Sequence, residues 1–156
     1  MAISFSHVLA SPRARARATC ELSGAGADPK IDPDLAEWDY GDYEGRRSAD
    51  FCEGRPGWNL FRDGCANGET PAEIGARADR LIARLRAMKG DVALFSHGQF
   101  RLVLGVRWIG LDVVEGRHFS VDPDSLSVLS YDPDHPKVPI IARWNVAATS
   151  EGQSAS

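Results

Sequence analysis

Lysine is nearly missing from this chain. Only Lys30, Lys89 and Lys137 stand among its eighteen basic residues, and every other one is arginine. With a formal net charge of −4 over 156 residues, the chain lacks the basic footprint that nucleic acid or an anionic membrane surface demands. An arginine bias suits phosphate or carboxylate, because guanidinium offers a planar fork. A genome-wide composition bias gives the same excess. Cysteine is also scarce. Cys20, Cys52 and Cys65 are odd in number and widely spaced, with no Cys-x-x-Cys pair, which argues against a disulfide framework or a zinc knuckle and suits a reducing cytoplasm. No apolar stretch approaches the roughly 20 residues of a membrane-spanning helix. No positively charged start leads into an apolar segment either. The expectation is a cytoplasmic protein with no membrane or nucleic-acid partner.

The chain length fits one domain, expected over residues 1–145, with a small, polar tail at 146–156. A strand is expected over 5–10. Ser11 as N-cap and Pro12 at N1 then predict a helix to about Leu22, stopped by Ser23-Gly24-Ala25-Gly26. A short extended piece surrounds Ile31. Residues 37–68 are aromatic, glycine-rich and charged with no clean period, as in a lid or binding loop. Thr70-Pro71-Ala72-Glu73 is a capping box. The helix it starts places Ile74, Ala78, Leu81, Ile82, Leu85 and Met88 on one face, with arginines opposite. Another buried helix is expected over 100–109, followed by strands over 125–131 and 138–144. Strands alternating with helices imply an α/β fold with a mainly parallel sheet.

One stretch carries most of the chemistry. Asp91-Val92-Ala93-Leu94-Phe95-Ser96-His97-Gly98 reads as a buried strand, expected at the centre of the sheet, that breaks abruptly into Ser-His-Gly. Ligands in open α/β sheets bind beyond the carboxyl ends of such strands, which is where His97 falls. Helix geometry separates the three arginines after Pro12. Arg13 and Arg17 share a face and read as a solvated run, while Arg15 points elsewhere, near a strand end, as an anion ligand would. Glu37 opens an aromatic segment, and a carboxyl group against aromatic surface can act as a proton donor. A plain loop carboxylate is the blander reading. Asp39, Asp42 and Glu44 match no calcium loop, so no metal is expected. Ser96 lies in no Gly-x-Ser-x-Gly elbow, and no Walker loop or His-Glu-x-x-His is present. His7, His118 and His135 read as structural.

Four motifs occur in a telling order: Ser11-Pro12 leading to Arg15-Ala16-Arg17-Ala18-Thr19; Leu35-Ala36-Glu37 with Gly41 and Glu44-Gly45; Gly68-Glu69-Thr70; and Ser96-His97-Gly98. In this order the chain resembles the histidine phosphatase superfamily, the phosphoglycerate-mutase-like fold. The strings from Glu37 to Gly45 and from Arg62 to Thr70 are similar to its sedoheptulose-bisphosphatase-type sugar phosphatases. The resemblance implies a three-layer α/β sandwich that hydrolyses small phosphorylated substrates, with sugar phosphates favoured and no cofactor. It implies that His97 donates hydrogen bonds to the transferring phosphoryl oxygens, Arg15 neutralises them, and Glu37 protonates the leaving alkoxide. Gln99, Gly68, Glu69 and Thr70 are implied as substrate contacts, although Gln99 stands where relatives often carry His.

Relatives open with a strand ending in Arg-His-Gly, whose histidine attacks phosphorus. No Arg-His-Gly occurs here. The expectation is therefore the family fold without its first strand and helix, and an isolated chain that is catalytically silent. Arg46, Arg47 and Arg62 are candidates for a second phosphate or plain exposed arginines. The alternative to a phosphatase is a non-catalytic phosphate or sugar-phosphate binder. A nucleic-acid binder built on the arginines of the first helix is disfavoured by the acidic balance. The sequence leaves oligomeric state open.

Overall fold

The computed structural model describes residues 4–26, 28–47, 50 and 54–147. Strand β1 (His7–Ala10) leads into helix α1 (Ala14–Ser23), which ends where Gly24 adopts the left-handed conformation. A two-residue strand β2 (Lys30–Ile31) follows, then 3-10 turns at Pro33–Leu35 and Gly41–Tyr43. A short helix α2 (Leu60–Asp63) precedes the long helix α3 (Pro71–Ala87), strand β3 (Val92–Phe95) and helix α4 (Gly98–Trp108). After a 3-10 segment at Val113–His118 come strands β4 (Ser125–Tyr131) and β5 (Pro139–Ala147). The capping box at Thr70 forms in full, and β4 has the expected limits.

The sheet is parallel in the order β2-β1-β3, and β4 with β5 makes a separate antiparallel pair. Two expectations need correcting. The strand carrying His97 is not central. Among the described residues β3 pairs only with β1, and β1 holds the middle. The last strand also continues through Ala147, past the start expected for the tail; residues 148–156 lie outside the described ones. No helix among the described residues is long and apolar enough to cross a membrane.

The core lies between the helices and the sheet. Ile74, Ala78, Leu81 and Ile82 of α3 are buried as their period predicts, against Phe100 and Val103 of α4. Trp38 and Leu35 bring the loop after β2 into the same cluster, with Trp38 edge-on to Phe61 at 5.6 Å. The β4–β5 pair is fastened to α4. Trp108 donates its indole N–H to Ser130 and Ile140 carbonyls, Arg101 reaches the Ser125 carbonyl at 2.6 Å, and Gly105 leaves room for the Trp144 ring. The 37–68 region is less loose than its composition suggests. Gly41, at φ +50°, and Gly68 sit back to back, each so near the other's backbone that no Cβ fits.

Candidate active site

The site forms where β1 and β3 end and α1 and α4 begin. Ser11 follows β1 directly, and its amide continues the pairing by donating to the Phe95 carbonyl at 2.9 Å. Helix α1 does not start as its sequence predicts. Arg13, not Ser11, occupies the N-cap, with no side-chain cap bond. The Ser11 hydroxyl, wholly buried, instead accepts from the Arg13 amide at 3.3 Å and lies 2.8 Å from His97 Nε2. Tertiary contact has taken the hydroxyl from a capping role that local pattern alone would give it.

His97 is 6% exposed. Arg15 Nε donates to its Nδ1 at 3.0 Å. Burial pushes the imidazole down to about 4, and the positive charges of Arg15, Arg13 and Arg77 push in the same direction. The ring is therefore neutral at ordinary pH. Glu37 arrives from the other side on the loop after β2. Its Oε1 accepts from the Trp38 and Phe100 amides, both at 2.9 Å, and its Oε2 from the Gln99 amide at 3.2 Å. Its carboxylate thus docks on the N-terminus of α4, where free amides and the helix dipole favour negative charge. A cavity of about 440 Å³ opens beside these groups, lined by Arg13, Arg15, Glu37, Tyr40, Arg46 and Gln99 among others. The Tyr40 phenol is held protonated by burial and then by the Glu37 charge.

His97, Arg15 and Glu37 thus converge at the carboxyl edge of the parallel sheet, as their motif order implies, and Gln99 joins them. The third motif lies elsewhere. Glu69 is locked in a bidentate pair with Arg77 at 2.8 and 2.7 Å, Thr70 caps α3, and Gly68 packs on Gly41. None of the three lines the cavity. Of the loop arginines, Arg46 lines it and Arg62 is tied to Asp63. Arg13, read from helix geometry as solvated, faces the cavity because it precedes the helix rather than joining it. Two further residues escape sequence reasoning. One is Ser11. The other is Arg77, whose guanidinium reaches the carbonyls of Asp34, Ala36 and Glu37 and stacks 4.4 Å over Phe100. No signal in the sequence sets it apart from the exposed arginines, since Arg84 follows Leu81 by the same three residues that separate Arg77 from Ile74.

This grouping of an arginine and a histidine at two strand ends, with a carboxylate across a cavity, suits an oxyanion. The profile of the histidine phosphatase superfamily (branch 1) matches residues 1–146. The chain belongs to the histidine phosphatase superfamily. It is 34% identical to the sedoheptulose 1,7-bisphosphatase of Saccharomyces cerevisiae, over 84% of this chain and 57% of that protein. It is 35% identical to an acid phosphatase of Mycobacterium tuberculosis, over 80% of this chain and 62% of that one. Among solved structures, a Mycobacterium tuberculosis protein superposes with a TM-score of 0.83 at 33% identity, covering 90% of this chain and 72% of that one. The α-ribazole phosphatase of Shigella flexneri gives 0.76 at 25% identity, covering 96% and 78%. The chain therefore spans somewhat under two thirds of the length of these curated relatives.

Proposed function

We propose that this superfamily member binds phosphate monoesters, sugar phosphates in particular, and supplies the electrostatic half of their hydrolysis. The observation that carries this reading is the meeting of Arg15 and His97 beside a cavity that Glu37 also lines. Arg15 and Arg13 would receive the phosphoryl oxygens, His97 would donate to them as charge gathers, and Glu37 would protonate the departing alkoxide. Glu37 Oε2 is the oxygen for that proton, since it holds one amide bond where Oε1 holds two. The attacking group in this scheme is a histidine on a strand laid along the open edge of β3, between β3 and β4. In its absence the same residues make a phosphate or sugar-phosphate binder, which is the second reading.

The test has two arms. The 156-residue chain should bind inorganic phosphate, lose that binding in Arg15→Ala, and show no turnover of an aryl phosphate above a blank. Joined to a strand ending in Arg-His-Gly, it should hydrolyse phosphate monoesters through an acid-labile phosphohistidine. His97→Ala should then lower the rate at least about 10²-fold, the scale for losing one preorganised donor. Glu37→Gln should hurt sugar phosphates more than activated aryl phosphates. Robust hydrolysis by the unmodified chain, abolished by His97→Ala, would place the nucleophile within these residues.

A further inference from the structure

Two bonds fix the His97 ring, and together they determine which nitrogen carries its proton. Guanidinium has donors only, so the 3.0 Å bond from Arg15 Nε makes Nδ1 an acceptor. The hydrogen of the neutral ring is then on Nε2, which donates to Ser11 Oγ at 2.8 Å. Ser11 is wholly buried, whereas Arg15 lines the cavity. The ring thus keeps its one N–H turned inward and its lone pair turned toward the cavity side. An oxyanion drawn to Arg13 and Arg15 would meet that lone pair and be repelled by it.

We propose that Ser11 is a positioning residue of the anion site, holding His97 so that an oxyanion binds beside it only together with a proton on Nδ1. The proposal rests on reading the cavity as a phosphate site. The oxyanion takes the Arg15 guanidinium, and the Arg15–His97 bond breaks. A solvent proton enters on Nδ1, while the Nε2 hydrogen stays on Ser11. The result is an imidazolium paired with the anion. The charges around His97 explain why the proton waits for the anion. Arg13 and Arg15 face it from the start of α1 and Arg77 from α3, and the ring itself stands at the positive end of α4. The nearby carboxylate, Glu37, is already engaged by the α4 amides. Burial and these arginines hold the empty ring neutral, and a dianion offsets them.

Sulfate is the probe, because it stays divalent across the working range and only the protein titrates. Calorimetry on the intact chain should show sulfate affinity falling about tenfold per pH unit between roughly pH 6 and 8. In buffers of different ionisation enthalpy, about one proton should be taken up per sulfate bound. His97→Gln should bind with no such pH dependence. Ser11→Ala should flatten it, because the ring is then free to turn Nε2–H to the anion, and Ser11→Thr should restore it. Nitrogen-15 spectra of the wild-type ring need no variant. They should report the Nε2–H tautomer without sulfate and both nitrogens protonated with it. Sulfate binding that is flat with pH and takes up no proton overturns this inference and leaves the anion site standing. No binding of sulfate or phosphate even at about pH 6 overturns both.

Discussion

Arg77 illustrates how much one side chain can decide. Five donors on a rigid fork let it hold the Glu69 carboxylate and the carbonyls of Asp34, Ala36 and Glu37 at once. The backbone before Glu37 is thereby fixed, and its carboxylate can reach the first amides of α4. Lysine, with a point charge, could not do this. His97 shows the same dependence on surroundings through its protonation. An unfolded histidine titrates near 6.5, while the folded ring is held at about 4, by burial first and then by three arginines. Between those values the unfolded chain binds a proton that the folded chain refuses. Stability contributed by this group is therefore present above about pH 6.5 and falls as pH drops toward about 4. Urea midpoints at several pH values should fall across that window in the wild type and less steeply in His97→Gln. Equal slopes in both proteins would show that His97 is not held neutral by the fold.

Elements place the site residues, and the third sequence motif shows elements taking precedence over chemistry. Gly68-Glu69-Thr70 lies next to the loop carrying Glu37, yet each residue has a structural task. Gly68 permits two loops to touch, Glu69 anchors Arg77, and Thr70 with Glu73 closes the first turn of α3. Thr70→Ala should cost about 1 kcal/mol in urea unfolding, the usual scale for a lost N-cap. It should leave phosphate affinity unchanged, since Thr70 does not line the cavity. A tenfold loss of affinity at unchanged stability would instead make Thr70 a substrate contact. Helix α4 has the converse role. Its start receives the Glu37 carboxylate and carries His97, and its far side holds β4 and β5 through Trp108 and Arg101.

At the scale of the molecule the sheet is interrupted. β1 is paired on both edges, β3 on one, and β4 with β5 stand apart. Half of the ladder groups of β3 therefore find no strand partner among the described residues, a position that costs stability and invites association. The chain by itself should be weakly stable or prone to aggregate. Native-state hydrogen exchange should be faster at Val92–Phe95 than at Val8, Leu9 and Ala10. Cooperative, reversible unfolding with equal protection in both strands would refute that picture.

Much of this protein is legible in its sequence because much of it is local. The capping box at Thr70, the apolar period of α3, the glycine stop after α1 and the breaks at strand ends all act within a few residues. They are read correctly without knowing the fold. The convergence of Arg15, Glu37 and His97 was also accessible, because strand ends in a parallel sheet share one edge and the motifs follow one another in order. Tertiary structure alone decided the rest. Ser11 and Arg13 have neighbours distant in the chain, so their local pattern pointed to a cap and a solvated charge. The sheet position of β3 depends on which strands lie beside it, a long-range matter that hydrophobic pattern does not encode. The proton on His97 is likewise fixed by Arg15 and Ser11, 82 and 86 residues away, and only folding brings them within reach.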